Sequence, residues 1–78
     1  MKITAKGMFK KLGYTKRVLD DRIFYGNGNY IMRHIIEFNL KDKIVYSCTE
    51  YETGNAIKSL TVNELKAIQK QMEELGWI

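Results

Sequence analysis

The spacing of apolar positions changes twice along the chain. Near the start, Ala5, Met8, Phe9 and Leu12 fall at i, i+3, i+4 and i+7, which is one stripe of a short helix. Thr4 stands where an N-cap belongs, and Gly13 supplies the left-handed residue that commonly ends helices. Lys6 and Lys10 share the opposite face, with Lys11 beside them. Gly7 occupies the third helical position, where a glutamate would complete a capping box with Thr4. Glycine there lowers helix propensity by about 1 kcal/mol, so the element depends on Met8, Phe9 and Leu12 packing down.

From Tyr14 to about Tyr51 the period becomes two. "RIFY" reads as a short strand, and "NYIMRHIIEFNL" alternates well. Tyr30, Met32, His34, Ile36, Phe38 and Leu40 share one of its faces; Ile31, Arg33, Ile35, Glu37 and Asn39 share the other. The charged "KDK" at 41–43 leads into "IVYSCTEY", whose two faces are similarly apolar, so its inward face stays open. "ETGN" reads as a turn and "AIKSL" as a short edge strand. Helical spacing then returns. Thr61-Val62-Asn63-Glu64 is a capping box, and Val62, Leu65, Ile68, Met72 and Leu75 form a stripe expected to face the sheet. Gly76 ends the helix, with Trp77 and Ile78 folding back as an apolar cap. The pattern predicts residues 1–78 as a single α+β domain: a short N-terminal helix, a three- to four-stranded antiparallel sheet and a C-terminal amphipathic helix, with the helices packed on one sheet face.

Within this frame "GNGN" at 26–29 admits two meanings. A glycine loop that cradles phosphates needs a helix after it, so that amides and the helix N-terminus converge on the anion. Here a period-two strand follows, which makes the quartet a hairpin turn.

Composition narrows the classes. The chain is 45% hydrophobic with five Tyr, three Phe and one Trp, a globular make-up whose single core is small at 78 residues. Cys48 has no intrachain disulfide partner, and one Cys with one His (His34) is too few for a structural zinc site. No metal or cofactor is expected, and additional stability is expected from a homodimer. Without a signal-peptide pattern or an apolar run of membrane-spanning length, the expected setting is the cytoplasm.

Catalysis finds no positive sign. His34 lies between Met32 and Ile36 on its strand face, which suits a hydrogen-bonded structural histidine. Cys48 is mid-strand, far from any helix N-terminus that would lower its pKa. The carboxylate pairs Asp20/Asp21 and Glu73/Glu74 are adjacent in sequence and point in different directions. A non-enzymatic protein is expected.

Charge and the uncovered sheet face each suggest a contact. The net charge of +4 is uneven: residues 1–22 hold seven basic side chains against two acidic, and the rest hold six against seven. Lys6, Lys10, Lys11, Lys16 and Arg17 are therefore candidates to follow a phosphate backbone. Glu73 and Glu74, in a helical last turn where negative charge opposes the dipole, are candidates to meet Lys10, Lys11 or Arg17 of a second subunit. Ile31 and Ile35, with Val45 or Tyr51 and edged by Arg33 and Glu37, occupy the sheet side opposite the core, an apolar patch suited to dimer formation through sheet faces or an edge strand, or to docking a host protein.

"TAKGMFKKLGY", then "IEFNLKDK", then "LTVNELKAIQKQMEELGW" resembles a group of small phage and prophage proteins of low-GC Gram-positive bacteria. That group begins Thr-Ala-x-Glu-Met-Phe-x-x-Leu-Gly-Tyr and closes on Glu-Leu-Gly-Trp. The chain departs from it at Gly7, where Glu is usual, and in being basic where its relatives are acidic. The resemblance implies a setting and no catalytic or ligand-binding residue. The expectation it supports is a phage accessory protein in the cytoplasm of a bacterial host cell, binding a host protein stoichiometrically and inhibiting a defence or metabolic complex. The alternative is a small nucleic-acid-binding module using the basic N-terminal segment.

Overall fold

The computed structural model describes residues 2–78 and has the order α1 (Ala5–Lys11), β1 (Thr15–Leu19), β2 (Arg22–Gly28), β3 (Met32–Asn39), β4 (Ile44–Tyr51), β5 (Gly54–Ile57) and α2 (Val62–Glu74). The five strands form one antiparallel sheet in sequence order. The class is the expected α+β, but three or four strands become five. The additional strand is β1, "TKRVL", an edge strand that is solvent-exposed along most of both faces and so lacks an apolar alternation to announce it. At the other edge, β5 covers "GNAI" and begins inside the segment expected to be a turn.

The core is aromatic. Ile23 and Tyr25 of β2 and Ile36 and Phe38 of β3 lie on one sheet face and pack with Phe9, Tyr14, Ala67 and Ile68. Phe9 stacks on Tyr25 with ring centroids 3.8 Å apart, and Phe38 meets both rings edge-on at 6.3 and 6.0 Å. Edge-to-face contact is an arrangement favoured by ring quadrupoles, whereas the close stack of Phe9 on Tyr25 is held by burial and packing. The register places Val45, Ser47, Thr49 and Tyr51 on this same face, which settles the inward side of β4. Val45 and Tyr51 accordingly do not belong to the opposite face with Ile35. His34 also lies on the core side, its Nδ1 2.9 Å from the hydroxyl of buried Thr49.

α2 is turned by about one position from the face its apolar residues would choose. Glu64, Ala67, Ile68 and Gln71 are buried, while Val62 and Leu65 are 67% and 50% exposed. The reason lies across the core, where two buried tyrosine hydroxyls require acceptors. The Tyr25 hydroxyl donates to Gln71 Oε1 at 2.6 Å, and the Tyr14 hydroxyl donates to Glu64 Oε2. Glu64 Oε1 also accepts the Thr61 amide at 2.8 Å, completing the expected capping box, and Lys58 Nζ lies 3.0 Å from Oε2. Burial pushes the Glu64 carboxyl up, but the Thr61 amide, the Tyr14 hydroxyl and Lys58 together hold it below the usual carboxylate range.

The helix ends are closed by the chain itself. Glu74 Oε2 accepts the Ala5 amide at 2.7 Å, so the last turn of α2 caps the first turn of α1. Glu73 lies 3.9 Å from Lys70. Both acids thus have partners in their own chain, which removes the reason for assigning them to a second subunit. Gly76, at φ 74°, passes its amide to the Glu73 carbonyl, and the Trp77 amide donates to Met72 at 2.9 Å. Trp77 then tilts against Phe38 at 6.3 Å, whereas Ile78 remains exposed.

At the N-cap of α1, Thr4 Oγ1 accepts the Gly7 amide at 3.0 Å, half of a capping box. A Cβ on Gly7 would stand 3.2 Å from that hydroxyl, which needs to yield by only a few tenths of an ångström. Gly7→Glu is expected to stabilise the fold by about 1 kcal/mol, raising Tm by roughly 4–8 °C in thermal denaturation. An unchanged or lower Tm would show that the bare Cα at Gly7 is itself required.

Candidate interaction surfaces

The register resolves the second sheet face into cross-strand rows. One row is Arg17, Phe24, Glu37 and Tyr46; the next is Thr15, Gly26, Ile35, Cys48 and Ile57. Arg33 and Glu50 stand opposite each other in the row nearest the β2–β3 connection. The buried helix residues Phe9, Ala67 and Ile68 cluster with the opposite face, yet the centre of this one is closed as well. Arg33 reaches over the Phe24 ring at 5.8 Å and pairs with Glu50 at 2.6 Å, and Arg22 pairs with Glu37 at 3.4 Å. Gly26 is the shelf beneath: a Cβ there would lie 3.3 Å from the Phe24 ring and 3.8 Å from the Arg33 stem. Ile35 is consequently only 3% exposed, and Cys48 beside it is buried.

The four residues expected to form a docking patch therefore separate. Arg33 and Glu37 sit on the expected face, but each is tied into an ion pair. Ile35 is on that face and inaccessible, so it does not serve as a contact. Ile31 lies outside β3, in the β2–β3 connection, and is exposed. The hairpin expected at 26–29 lies farther along, at residues 29–31, because Gly26, Asn27 and Gly28 pair with β3. β2 runs through Gly28, whose φ of 128° and close approach to the Met32 carbonyl exclude any side chain. Asn29 Oδ1 then accepts the amides of Ile31 and Met32 at 2.8 and 3.2 Å, a side-chain-closed turn that projects Tyr30 and Ile31 into solvent.

This turn makes an exposed apolar cluster at one end of the sheet. Tyr30 is 84% exposed, Ile31 and Met32 are also exposed, and Tyr51 stands opposite Met32 from β4. Beside them Asn29, Tyr30, Arg33, Glu50, Tyr51 and Asn55 line a cleft of about 390 Å³. Alternation places Tyr30 and Met32 on the face of Ile36, and the register keeps Met32 there while Tyr30 lies outside the strand. What alternation misses is that the strand begins only at Met32 and that α1 and α2 pack farther along, over Tyr25, Ile36 and Phe38.

The basic residues also separate. Lys6 and Lys10 of α1 and Lys16 of β1 line a single cleft of about 290 Å³ together with Tyr14 and Thr15. Lys11 faces the other side of α1, in clefts shared with Lys2 and with Lys66 of α2. Arg17 alternates to the opposite sheet face beside Phe24 and belongs to neither group. The arrangement brings together three of the five expected residues, adds Lys2 and Lys66, and removes Arg17.

Among the described residues no three His, Cys, Asp or Glu side chains come together as metal ligands, and no helix is long and apolar enough to cross a membrane. Compared with known proteins, the chain matches no family model, no curated protein and no solved structure.

Proposed function

We propose that this chain is a non-enzymatic phage or prophage accessory protein that works by stoichiometric binding to a bacterial protein in the host cytoplasm. The observation that carries the reading is the cluster of Tyr30, Ile31, Met32 and Tyr51 at one end of the sheet, beside the Arg33–Glu50 pair. Tyr, Met and Arg are the residue types enriched at protein interfaces, and large apolar anchors next to a polar cleft are what a hot spot consists of. The 390 Å³ cleft is lined by two amides, two phenol rings and an ion pair, so the complementary group is a polar side chain or a stretch of backbone. The contact is thus moved from the centre of the sheet face, where Ile35 is sealed, to its rim.

The test is capture from a nuclease-treated lysate of a Gram-positive host, comparing the tagged wild-type protein with Tyr30→Ala/Ile31→Ser. Both side chains are exposed and outside the core, so the variant is expected to fold. The reading predicts one host protein retained in near-stoichiometric amount through moderate salt, and at least tenfold less of it on the variant. Retention unaffected by the double substitution would refute the assignment to this rim.

A further inference from the structure

Three lysines in one cleft repel one another unless something negative lies between them. Lys6 and Lys10 are four residues apart on α1, a like-charge spacing that costs a helix a few tenths of a kcal/mol. Lys16 adds a third ammonium from the neighbouring strand. No aspartate or glutamate lines that cleft or the two clefts on the other side of α1, where Lys2, Lys11 and Lys66 lie. None of these six lysines is in an ion pair among the described residues. Glu64, which accepts the Tyr14 hydroxyl, is already satisfied by Thr61, Tyr14 and Lys58, and Glu74 accepts the Ala5 amide at the first turn of α1. The carbonyls at the C-terminal end of α1 are turned inward as well: Phe9 accepts the Leu12 and Tyr14 amides, and Lys10 accepts that of Gly13.

From this placement we infer that α1 is a nucleic-acid contact, with Lys6, Lys10 and Lys16 closing on backbone phosphate and the lysines on its far side extending the basic track. A polymer is favoured over an isolated phosphate because the positive charge continues around the helix through successive clefts. The contact carries no base readout: the Lys6–Lys10–Lys16 cleft presents no amide or arginine, and its one aromatic ring, Tyr14, is buried. It binds by charge alone, with little dependence on sequence. This inference is independent of the rim formed by Tyr30 and Ile31.

The experiment is a fluorescence-anisotropy titration of the intact protein with short labelled DNAs of two unrelated sequences, single-stranded and duplex, over a salt series. The expected result is comparable affinity for both sequences, falling linearly in a plot of log K against log salt. Lys6→Gln/Lys10→Gln/Lys16→Gln is expected to weaken binding at least tenfold and to flatten that slope. The charge-matched control Arg17→Gln/Lys41→Gln/Lys43→Gln, at exposed positions outside the cleft, is expected to change affinity less than threefold. Equal losses in the two triple variants would overturn the site, because only net charge would then matter. Binding absent at low salt, or an acidic peptide of matched charge bound as tightly as DNA, would overturn the choice of ligand. Tighter binding of single strands or of duplex identifies the form of backbone that fits.

Discussion

Phe9→Ala is expected to remove about 3–5 kcal/mol of stability, the usual cost of deleting a buried phenyl ring. Phe9 is fully buried; its ring stacks on Tyr25 at 3.8 Å and meets Tyr14 and Phe38 edge-on at 5.6 and 6.3 Å. The vacated space is walled by stiff rings, which collapse poorly into a cavity. A domain of this size has a total stability of roughly 4–12 kcal/mol, so the loss is a large part of the whole. Urea denaturation followed by tryptophan fluorescence reads it through Trp77, which packs on Phe38. A loss below about 1 kcal/mol would mean that α1 is not docked on the sheet through this ring.

The second large effect belongs to the group formed by Lys58, Glu64 and Tyr14. Lys58→Met is expected to cost about 3 kcal/mol, the low end for breaking a buried ion pair, because the Thr61 amide and the Tyr14 hydroxyl still hold the carboxylate. Adding Glu64→Gln should recover part of that loss by removing the uncompensated charge. The pH dependence follows from the direction of each shift. The Glu64 carboxyl is held below its ordinary value, so its contribution is present above the unfolded pKa, about 4.3, and disappears as pH falls through the lower folded value. Burial raises the Tyr14 and Tyr25 hydroxyls, so their contribution is complete below about pH 10 and is lost as pH climbs from there. Denaturation midpoints across pH test both limbs. Lys58→Met should bring the acid limb to higher pH, and an unmoved limb would show that Lys58 does not support the carboxylate.

The two helices and the alternation of β3 were legible because local signals agree there: caps at Thr4 and Thr61, glycines at 13 and 76, and His34, Ile36 and Phe38 alternating with Arg33, Ile35 and Glu37. What escaped depends on distant residues. The rotation of α2 is set by hydroxyls on Tyr14 and Tyr25, and nothing within α2 reveals that Glu64 and Gln71 point inward. Glu74 caps a helix 69 residues away. β1 was hidden because an exposed edge strand has little reason to alternate. The lysine cluster could be sorted only after β1 existed, since its register sends Lys16 to one side and Arg17 to the other. The rim cluster in turn required knowing that the turn is closed by Asn29 and that the helices stop short of it.

The strands lie side by side in the order in which a ribosome makes them, and every strand contact joins neighbours in sequence. Of the two helices that shelter them, α1 precedes the strands and α2 comes after all five. Until α2 emerges, Tyr25 lacks Gln71, Tyr14 lacks Glu64, and the first amide of α1 lacks Glu74. A chain that lacks α2 therefore displays an aromatic sheet side covered by α1 alone, and exposed apolar surface of that kind makes partly folded proteins adhere to one another. A chain truncated after Ile57 should accordingly aggregate on expression, while the full chain carrying α2 does not.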